Sequence, residues 1–114
     1  MITIYHNPRC SKSRQTLELL KTQGIEPQIE LYLESPPSTE KLSNLLGKLG
    51  IKANQLIRKS EAYYKENLKG MELTEEQLIE AMIENPKLIE RPIVVAGDRA
   101  ALGRPPEAVL EIIK

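Results

Sequence analysis

Residues 2–33 read ITIYHNPRCSKSRQTLELLKTQGIEPQIELYL and contain three predicted elements. The β-branched and aromatic residues of ITIY predict a strand. Leucines recur at helical spacing beyond the following loop, so a helix is expected over about 13–23, with Gly24 as its C-cap. Alternating polarity in QIELYL, residues 28–33, predicts a second strand. This order forms a β-α-β unit whose two strands are parallel.

A second pair of strands is predicted near the other end of the chain, in RPIVVAGDRAALGRPP, residues 91–106. Two short apolar runs flank Gly97-Asp98, and a glycine followed by a polar residue is typical of a two-residue hairpin turn. A helix is expected to follow from about Pro106. The apolar side chains that it should bury are Val109, Leu110, Ile112 and Ile113.

Only helices are predicted between these two units. They are expected at about 38–50, 53–58, 61–67 and 74–85. Ser38 or Thr39 should cap the first of them, and Gly50 should end it. Thr74 begins a T-x-x-Q capping box, which opens the last of them, and Pro86 stops that helix.

These elements predict an α/β protein with a thioredoxin-like fold. The β-α-β unit and the following β-β-α unit would share one four-stranded mixed sheet, with an all-helical insertion at about 38–85. The length of 114 residues favours a single domain that covers residues 1–114.

The composition argues against several classes of function. Lys and Arg number sixteen, as do Asp and Glu, which disfavours a general polyanion-binding surface, so no nucleic-acid partner is expected. One cysteine excludes an intrachain disulfide and a Cys-rich zinc site, and a single histidine leaves little else for a metal. The longest apolar run, IVVA at 93–96, is too short to span a bilayer. We expect a cytoplasmic protein without a bound metal or a membrane partner, and no signal peptide is apparent in MITIYHNPRC.

Cys10 lies in the loop between the first predicted strand and the first predicted helix. Helix N–H groups and the positive end of the helix dipole favour an anion at that place, and Arg9, Lys12 and Arg14 add positive charge. Such surroundings lower the pKa of a thiol. The alternative is a small buried apolar residue, but the neighbouring Arg, Ser and Lys residues disfavour burial. The pattern therefore favours a thiolate nucleophile.

His6 and Ser13 each allow two interpretations. His6 could stabilise the thiolate or shuttle a proton, or it could be a strand-end residue with a satisfied hydrogen bond. Ser13 could donate its hydroxyl group to the thiolate or to a bound oxyanion, or it could simply be the N-cap of the helix. The residues themselves leave both choices open.

An Arg-Pro dipeptide borders each strand of the predicted hairpin. With Gly97-Asp98 as the turn, Arg91 would face Arg104 at the open end. Like charges directly opposite each other destabilise a sheet, so an anion between them is a reasonable expectation. Arginine binds oxyanions through two parallel hydrogen bonds. By itself, however, Arg-Pro is a weak signal, and two solvated surface arginines whose prolines mark the strand ends are the better explanation of it.

Several motifs taken together resemble the glutaredoxin-coupled arsenate reductase family. They occur in the family's order and run nearly from end to end. They are HNPRCSKSRQTLELL at 6–20, LYLESPP at 31–37, LIRK at 56–59, ENPKLIERPIVV at 84–95 and LGRPPEAVLEI at 102–112. The position before the cysteine is Arg9, where small residues are usual in this family.

The resemblance implies a specific site and reaction. Cys10 would be the nucleophile that attacks arsenate, and Arg58, Arg91 and Arg104 would bind the oxyanion. His6 and Ser13 would lie near the thiolate. The Arg91–Pro92 peptide would be cis, beside the active cysteine.

The resemblance also implies the reductants. Because no second cysteine exists, an external thiol must regenerate Cys10. In this family glutathione is a co-substrate and glutaredoxin takes over the glutathione moiety, with no bound cofactor. We expect a monomer.

Two other classes of function remain open. One is a glutathione-dependent thiol oxidoreductase acting on protein mixed disulfides, and the other is an RNA-polymerase-binding regulator of the same fold family. The related regulators carry C-x-x-C, whereas this chain has Ser13 in place of the second cysteine. Three arginines favour oxyanion chemistry over disulfide chemistry.

Overall fold

A computed structural model of the protein describes residues 1–113. Its strands are β1 (Ile2–Tyr5), β2 (Gln28–Glu30), β3 (Ile93–Ala96) and β4 (Arg99–Leu102). Its α-helices are α1 (Ser11–Thr22), α2 (Thr39–Leu49), α3 (Ala53–Leu56) and α4 (Glu75–Glu84). Further helical segments are a π-helical turn at Tyr64–Leu68 and 3₁₀ segments at Pro86–Leu88 and Pro106–Glu111.

The four strands form one mixed sheet in the order β2-β1-β3-β4. Strand β1 is parallel to β2 and antiparallel to β3, and β3 is antiparallel to β4. Ala96 pairs with Arg99 across the hairpin, so Gly97-Asp98 is the two-residue turn that the sequence predicts. Gly97 adopts a φ of 65°, a conformation that glycine reaches at little steric cost. The predicted α/β, thioredoxin-like sheet is confirmed.

The chain divides into two compact units. The first comprises Met1–Ser35 and the described chain from Arg91 onward, and it contains the sheet, α1 and the last 3₁₀ segment. The second is Pro36–Glu90, which lies between the two parts of the first in sequence. The predicted all-helical insertion of about 38–85 lies within this second unit, whose named elements are all helical. An isolated antiparallel β-bridge also joins Ile57 to Ile89. A single domain over 1–114 stays a prediction.

A small apolar core lies within the first unit. Its buried residues are Ile4, Leu20, Val94, Val109 and Ile112. Strands β1 and β3, helix α1 and the last 3₁₀ segment therefore contribute to one core. Burying a large aliphatic side chain stabilises a fold by about 1.5–3 kcal/mol, so these contacts hold the sheet and α1 together.

The prediction for the last helix is wrong in the type of helix and partly wrong in which side chains are buried. Pro106–Glu111 forms a 3₁₀ helix, which has three residues per turn. Residues three apart therefore share a face, and Val109 and Ile112 are buried as predicted. Leu110 and Ile113 fall off that face and are only partly buried.

Two other boundaries differ from prediction in the first unit. Strand β2 ends at Glu30, because the Leu31 carbonyl accepts hydrogen bonds from the N–H groups of Glu34 and Ser35 and the chain turns there. Helix α1 begins at Ser11, two residues earlier than expected. Gly24 has a φ of 79° just beyond this helix, as its predicted role as a C-cap requires.

Capping in the second unit is as the sequence predicts. Ser38 Oγ accepts a hydrogen bond from the Lys41 N–H at the start of α2, and Gly50, with a φ of 71°, ends that helix. Thr74 and Gln77 form the reciprocal capping box of α4. Within residues 1–113, no helix combines the length and apolarity needed to cross a membrane.

Candidate active site

Cys10 is the N-cap residue of α1. Its backbone is extended, with φ −93° and ψ 123°, and its carbonyl accepts the first helical hydrogen bond, from the Arg14 N–H at 3.0 Å. The side chain is half-buried. The thiol therefore lies at the end of the helix where the N–H groups have no helical partner and favour negative charge.

A compact hydrogen-bond network shapes the loop before Cys10. Ser13 Oγ lies 2.5 Å from His6 Nδ1 and accepts a hydrogen bond of 3.0 Å from the Asn7 N–H. Asn7 Oδ1 accepts from the Arg9 N–H, and the Asn7 carbonyl accepts from the Cys10 N–H, both at 3.0 Å. The loop is consequently fixed before any ligand binds.

His6 is buried at the end of β1 and is neutral near pH 7. Burial, and then the charges of Arg14 and Lys21, lower its pKa. Ser13 Oγ accepts a hydrogen bond from the Asn7 N–H and shares a second hydrogen bond with His6 Nδ1. His6 thus has the satisfied hydrogen bond of the second sequence interpretation, and it also fixes the loop that carries the thiol.

The N-cap role predicted for Ser13 is wrong, and the donation of its hydroxyl group to a bound oxyanion stays a prediction. Ser13 is not the N-cap of α1, because Cys10 occupies that position. Its hydroxyl group is directed to His6 and Asn7 rather than to the sulfur. Its backbone N–H, however, acts on the thiolate.

The pKa of Cys10 is lowered although the thiol is half-buried. Burial is the strongest single influence and by itself raises the pKa. Its effect is outweighed by the backbone N–H groups of Ser13 and Lys12 and by the charges of Arg104 and Arg91. No cap hydrogen bond of standard geometry reaches Sγ, so the helix end acts here at longer range.

Arg104 is the cationic side chain in contact with the thiol. Its Nη2 lies 3.6 Å from Cys10 Sγ, and its Nε donates a hydrogen bond of 2.8 Å to the Arg91 carbonyl. The hairpin ladder continues past β3 and β4, since the Gly103 N–H donates to the Pro92 carbonyl at 2.9 Å. Arg91 and Arg104 are therefore neighbours, as the predicted turn required, and they lie beside Cys10.

The sheet explains why these segments meet. Tyr5 at the end of β1 pairs with Ile93, and Ile93 pairs with Leu102. The Cys10 loop and the two Arg-Pro dipeptides consequently leave the sheet at the same edge. The Arg91–Pro92 peptide is cis, as the resemblance implied, and so is the Arg104–Pro105 peptide, which the sequence did not predict.

The charged neighbours of Cys10 in sequence are not the ones that lower its pKa. Arg14 donates through Nη1 to the Pro8 carbonyl at 2.9 Å, so it braces the loop. Arg9 is exposed, and Lys12 acts through its backbone N–H. The expectation that their side-chain charges would activate the thiol is wrong, because the arginines that do so come from the hairpin.

Arg58 lies in the second unit. It follows the Ile57–Ile89 bridge, and its N–H donates to the Leu88 carbonyl at 2.6 Å. Its Nε is 3.6 Å from Glu90 Oε1, and both side chains are about a quarter exposed. The participation of Arg58 in an oxyanion site with Cys10 stays a prediction.

Asn7 was missed as a site residue by reasoning from the sequence. It is 5% exposed, and its side-chain Oδ1 accepts a hydrogen bond from the backbone N–H of Arg9, two residues later. This Asx turn is what an Asn-Pro dipeptide favours, so the signal was present in the sequence.

A model of the ArsC family matches residues 5–112. The chain belongs to the ArsC family. An arsenate reductase of Haemophilus influenzae is 50% identical to this ArsC-family chain over 114 residues, which cover 98% of each chain. A protein of Escherichia coli K12 that is described as uncharacterized protein YfgD is 58% identical over 98% of this chain and 96% of its own.

Solved structures support the same relationship. The structure of an arsenate reductase from Vibrio cholerae superposes with a TM-score of 0.95 at 54% sequence identity. The match covers 98% of this ArsC-family chain and 97% of the other. The resemblance inferred from the motifs is therefore confirmed at the level of family and fold.

Proposed function

We propose that this ArsC-family protein is an arsenate reductase in which Cys10 is the nucleophile. The observation that carries the proposal is the contact of 3.6 Å between Arg104 Nη2 and Cys10 Sγ, at a thiol whose pKa is lowered. A thiolate is the reactive form of cysteine, and a guanidinium group beside it attracts an oxyanion. The names of the relatives from Haemophilus influenzae and Vibrio cholerae support arsenate as that oxyanion.

The first chemical step joins sulfur to arsenic. The Cys10 thiolate attacks As(V), a sulfur–arsenic bond forms, and one arsenate oxygen leaves as water after protonation. Arginines around the transferring group stabilise its negative charge, a fixed electrostatic contribution that needs no reorganisation. We assign this role to Arg58, Arg91 and Arg104.

The two electrons come from external thiols. Glutathione displaces a second arsenic-bound oxygen as water and forms an As–S bond. A glutaredoxin thiolate then attacks the glutathione sulfur, a disulfide forms between them, and the electron pair of the As–S bond stays on arsenic, now As(III). Water releases arsenite and regenerates Cys10. External thiols are required because Cys10 is the only cysteine in the chain.

His6 and Ser13 support the thiolate indirectly in this proposal. The Ser13 hydroxyl joins His6 to Asn7 and fixes the loop, so that the Ser13 backbone N–H keeps its position at the sulfur. We also assign to this site Pro92, whose peptide bond with Arg91 is cis. We propose that the protein acts as a cytoplasmic monomer without a bound cofactor.

The test is a coupled assay that follows NADPH consumption with glutathione, glutathione reductase and glutaredoxin, started by arsenate. We expect arsenate-dependent turnover that disappears in Cys10→Ser, with circular dichroism showing an intact fold. Turnover of a glutathionylated peptide without any arsenate activity would instead support the thiol-oxidoreductase alternative. Arsenate reduction by Cys10→Ser at the wild-type rate would refute the nucleophile assignment.

A further inference from the structure

The Arg58–Glu90 pair has a specific geometric origin within the second unit. The antiparallel bridge places Ile57 opposite Ile89, with the Arg58 N–H bonded to the Leu88 carbonyl and the Glu90 N–H bonded to the Leu56 carbonyl at 3.0 Å. Side chains alternate between the two faces of such a pair of segments. Arg58 and Glu90 each neighbour a bridge residue and thus share one face.

The contact between the two side chains is close but incomplete. Arg58 Nε and Glu90 Oε1 are 3.6 Å apart, too far for a hydrogen bond, and both atoms are buried. Among residues 1–113, neither Nη group of Arg58 forms a hydrogen bond. The Glu90 carboxylate therefore attracts the guanidinium group of Arg58 at its Nε edge, while the two terminal Nη groups have no acceptor among the described residues.

This arrangement suits a residue that is held ready for a ligand. The buried Nε of Arg58 has no hydrogen-bond partner, and a buried unpaired donor is costly unless an opposite charge such as the Glu90 carboxylate lies close by. A carboxylate at the Nε edge restricts the rotation of the long side chain without occupying the fork that binds oxyanions in a bidentate manner. Ordering the side chain in advance lowers the entropy that anion binding would otherwise cost.

We propose that Glu90 is a positioning residue for Arg58, orienting its guanidinium group for the oxyanion. The proposal rests on the role of Arg58 in the proposed function, and it adds a residue that does not itself touch the substrate. Glu90 lies directly before Arg91, so one short segment would carry both an arginine of the site and the carboxylate that orients another.

The test is a double-mutant cycle of wild type, Arg58→Ala, Glu90→Ala and the double variant, with arsenate kinetics at saturating thiol. We expect Glu90→Ala to raise the KM for arsenate by about three- to tenfold, in the lower part of the range of coupling between contacting residues, with kcat within about twofold. Glu90→Gln should behave alike, because a carboxamide keeps the size but loses the charge. Glu80→Ala, which removes an exposed carboxylate from α4, is the matched control and should leave KM unchanged.

The cycle separates positioning from a purely structural role. If Glu90 acts through Arg58, the Glu90→Ala change should have no further effect in the Arg58→Ala background. An equal effect in both backgrounds, an unchanged KM, or a KM that falls would each overturn the proposal. If Glu90→Ala fails to fold, as judged by circular dichroism, Glu90→Gln decides in its place.

A binding measurement keeps this proposal distinct from the proposed function. In a Cys10→Ser background, calorimetric titration with arsenate reports anion binding without turnover. A wild-type protein that does not reduce arsenate would refute the proposed function alone. The same three- to tenfold weakening of arsenate binding, lost when Arg58 is alanine, would still support Glu90 as a positioning residue, and its absence would refute that role.

Discussion

The contact between Arg104 and the thiol makes a quantitative prediction about the pKa of Cys10. Nη2 and Sγ are 3.6 Å apart, and Arg104 is exposed, so water screens the interaction. With the dielectric constant of water, Coulomb's law gives about 1 kcal/mol at this distance. Arg104→Ala should therefore raise the pKa of Cys10, because it removes a positive charge that stabilises the thiolate.

The assay is the rate of iodoacetamide alkylation as a function of pH, since only the thiolate reacts. Cys10 is the only cysteine, so the labelling reports a single site. The wild-type profile should titrate below the usual range of a thiol, because the pKa is lowered. Raising the salt concentration should shrink the difference between wild type and Arg104→Ala, as expected for an exposed charge.

Two variants serve as controls for this prediction. Arg99→Ala removes the same charge from the opposite end of β4 and should leave the pKa unchanged. Arg104→Lys keeps a positive charge near the sulfur, so most of the lowering of the Cys10 pKa should remain. Lysine cannot, however, reproduce the Nε hydrogen bond to the Arg91 carbonyl. An identical profile for wild type and Arg104→Ala, or equal shifts for Arg99→Ala and Arg104→Ala, would refute the electrostatic argument.

Further predictions concern catalysis, regeneration and stability. Arg58→Ala and Arg91→Ala should each lower kcat/KM for arsenate about tenfold or more, since a lost charge-assisted contact costs about 1.5–3 kcal/mol, and wild-type kinetics in both would contradict their role. Turnover should require both glutathione and glutaredoxin, and full activity with thioredoxin as the only thiol source would oppose this. Gly103→Ala should destabilise the fold by about 1–3 kcal/mol in denaturant titrations, because a Cβ there would collide with the buried Thr16 side chain; an unchanged midpoint would contradict this. Folding lowers the pKa of Cys10, so its thiolate stabilises the fold fully at a pH above the unfolded-state pKa. This stabilisation is lost as the pH falls through the folded-state pKa. The difference in the free energy of unfolding between wild type and Cys10→Ser should therefore grow as the pH rises from the folded-state to the unfolded-state pKa.

Local signals in the sequence determined much of the fold. The serine and glycine at the ends of α2, the capping box of α4 and the Gly97-Asp98 turn all form as predicted, because each depends on hydrogen bonds or dihedral angles within a few residues. The motif order also identified the family, which implied Cys10 as the nucleophile.

Predictions that depended on packing were less accurate. The alternation of polar and apolar residues in 28–33 continues beyond Glu30. The strand nevertheless ends there, because the chain forms a turn in which the Leu31 carbonyl accepts hydrogen bonds from the N–H groups of Glu34 and Ser35. The final apolar residues fit an α-helix or a 3₁₀ helix equally well by pattern, and the stripe formed by Val109 and Ile112 follows the three-residue period. Periodicity over so few residues cannot distinguish the two helices.

The sequence by itself determined that the protein has a solitary thiol at the start of a helix, but only the tertiary structure decided which charges act on it. Arg9 and Arg14 are close to Cys10 in sequence, whereas the hydrogen bond from Arg104 spans 94 positions. The pairing of Tyr5 with Ile93, and of Ile93 with Leu102, brings these distant segments to one edge of the sheet. Coulomb interactions depend on distance in space, and strand order sets that distance.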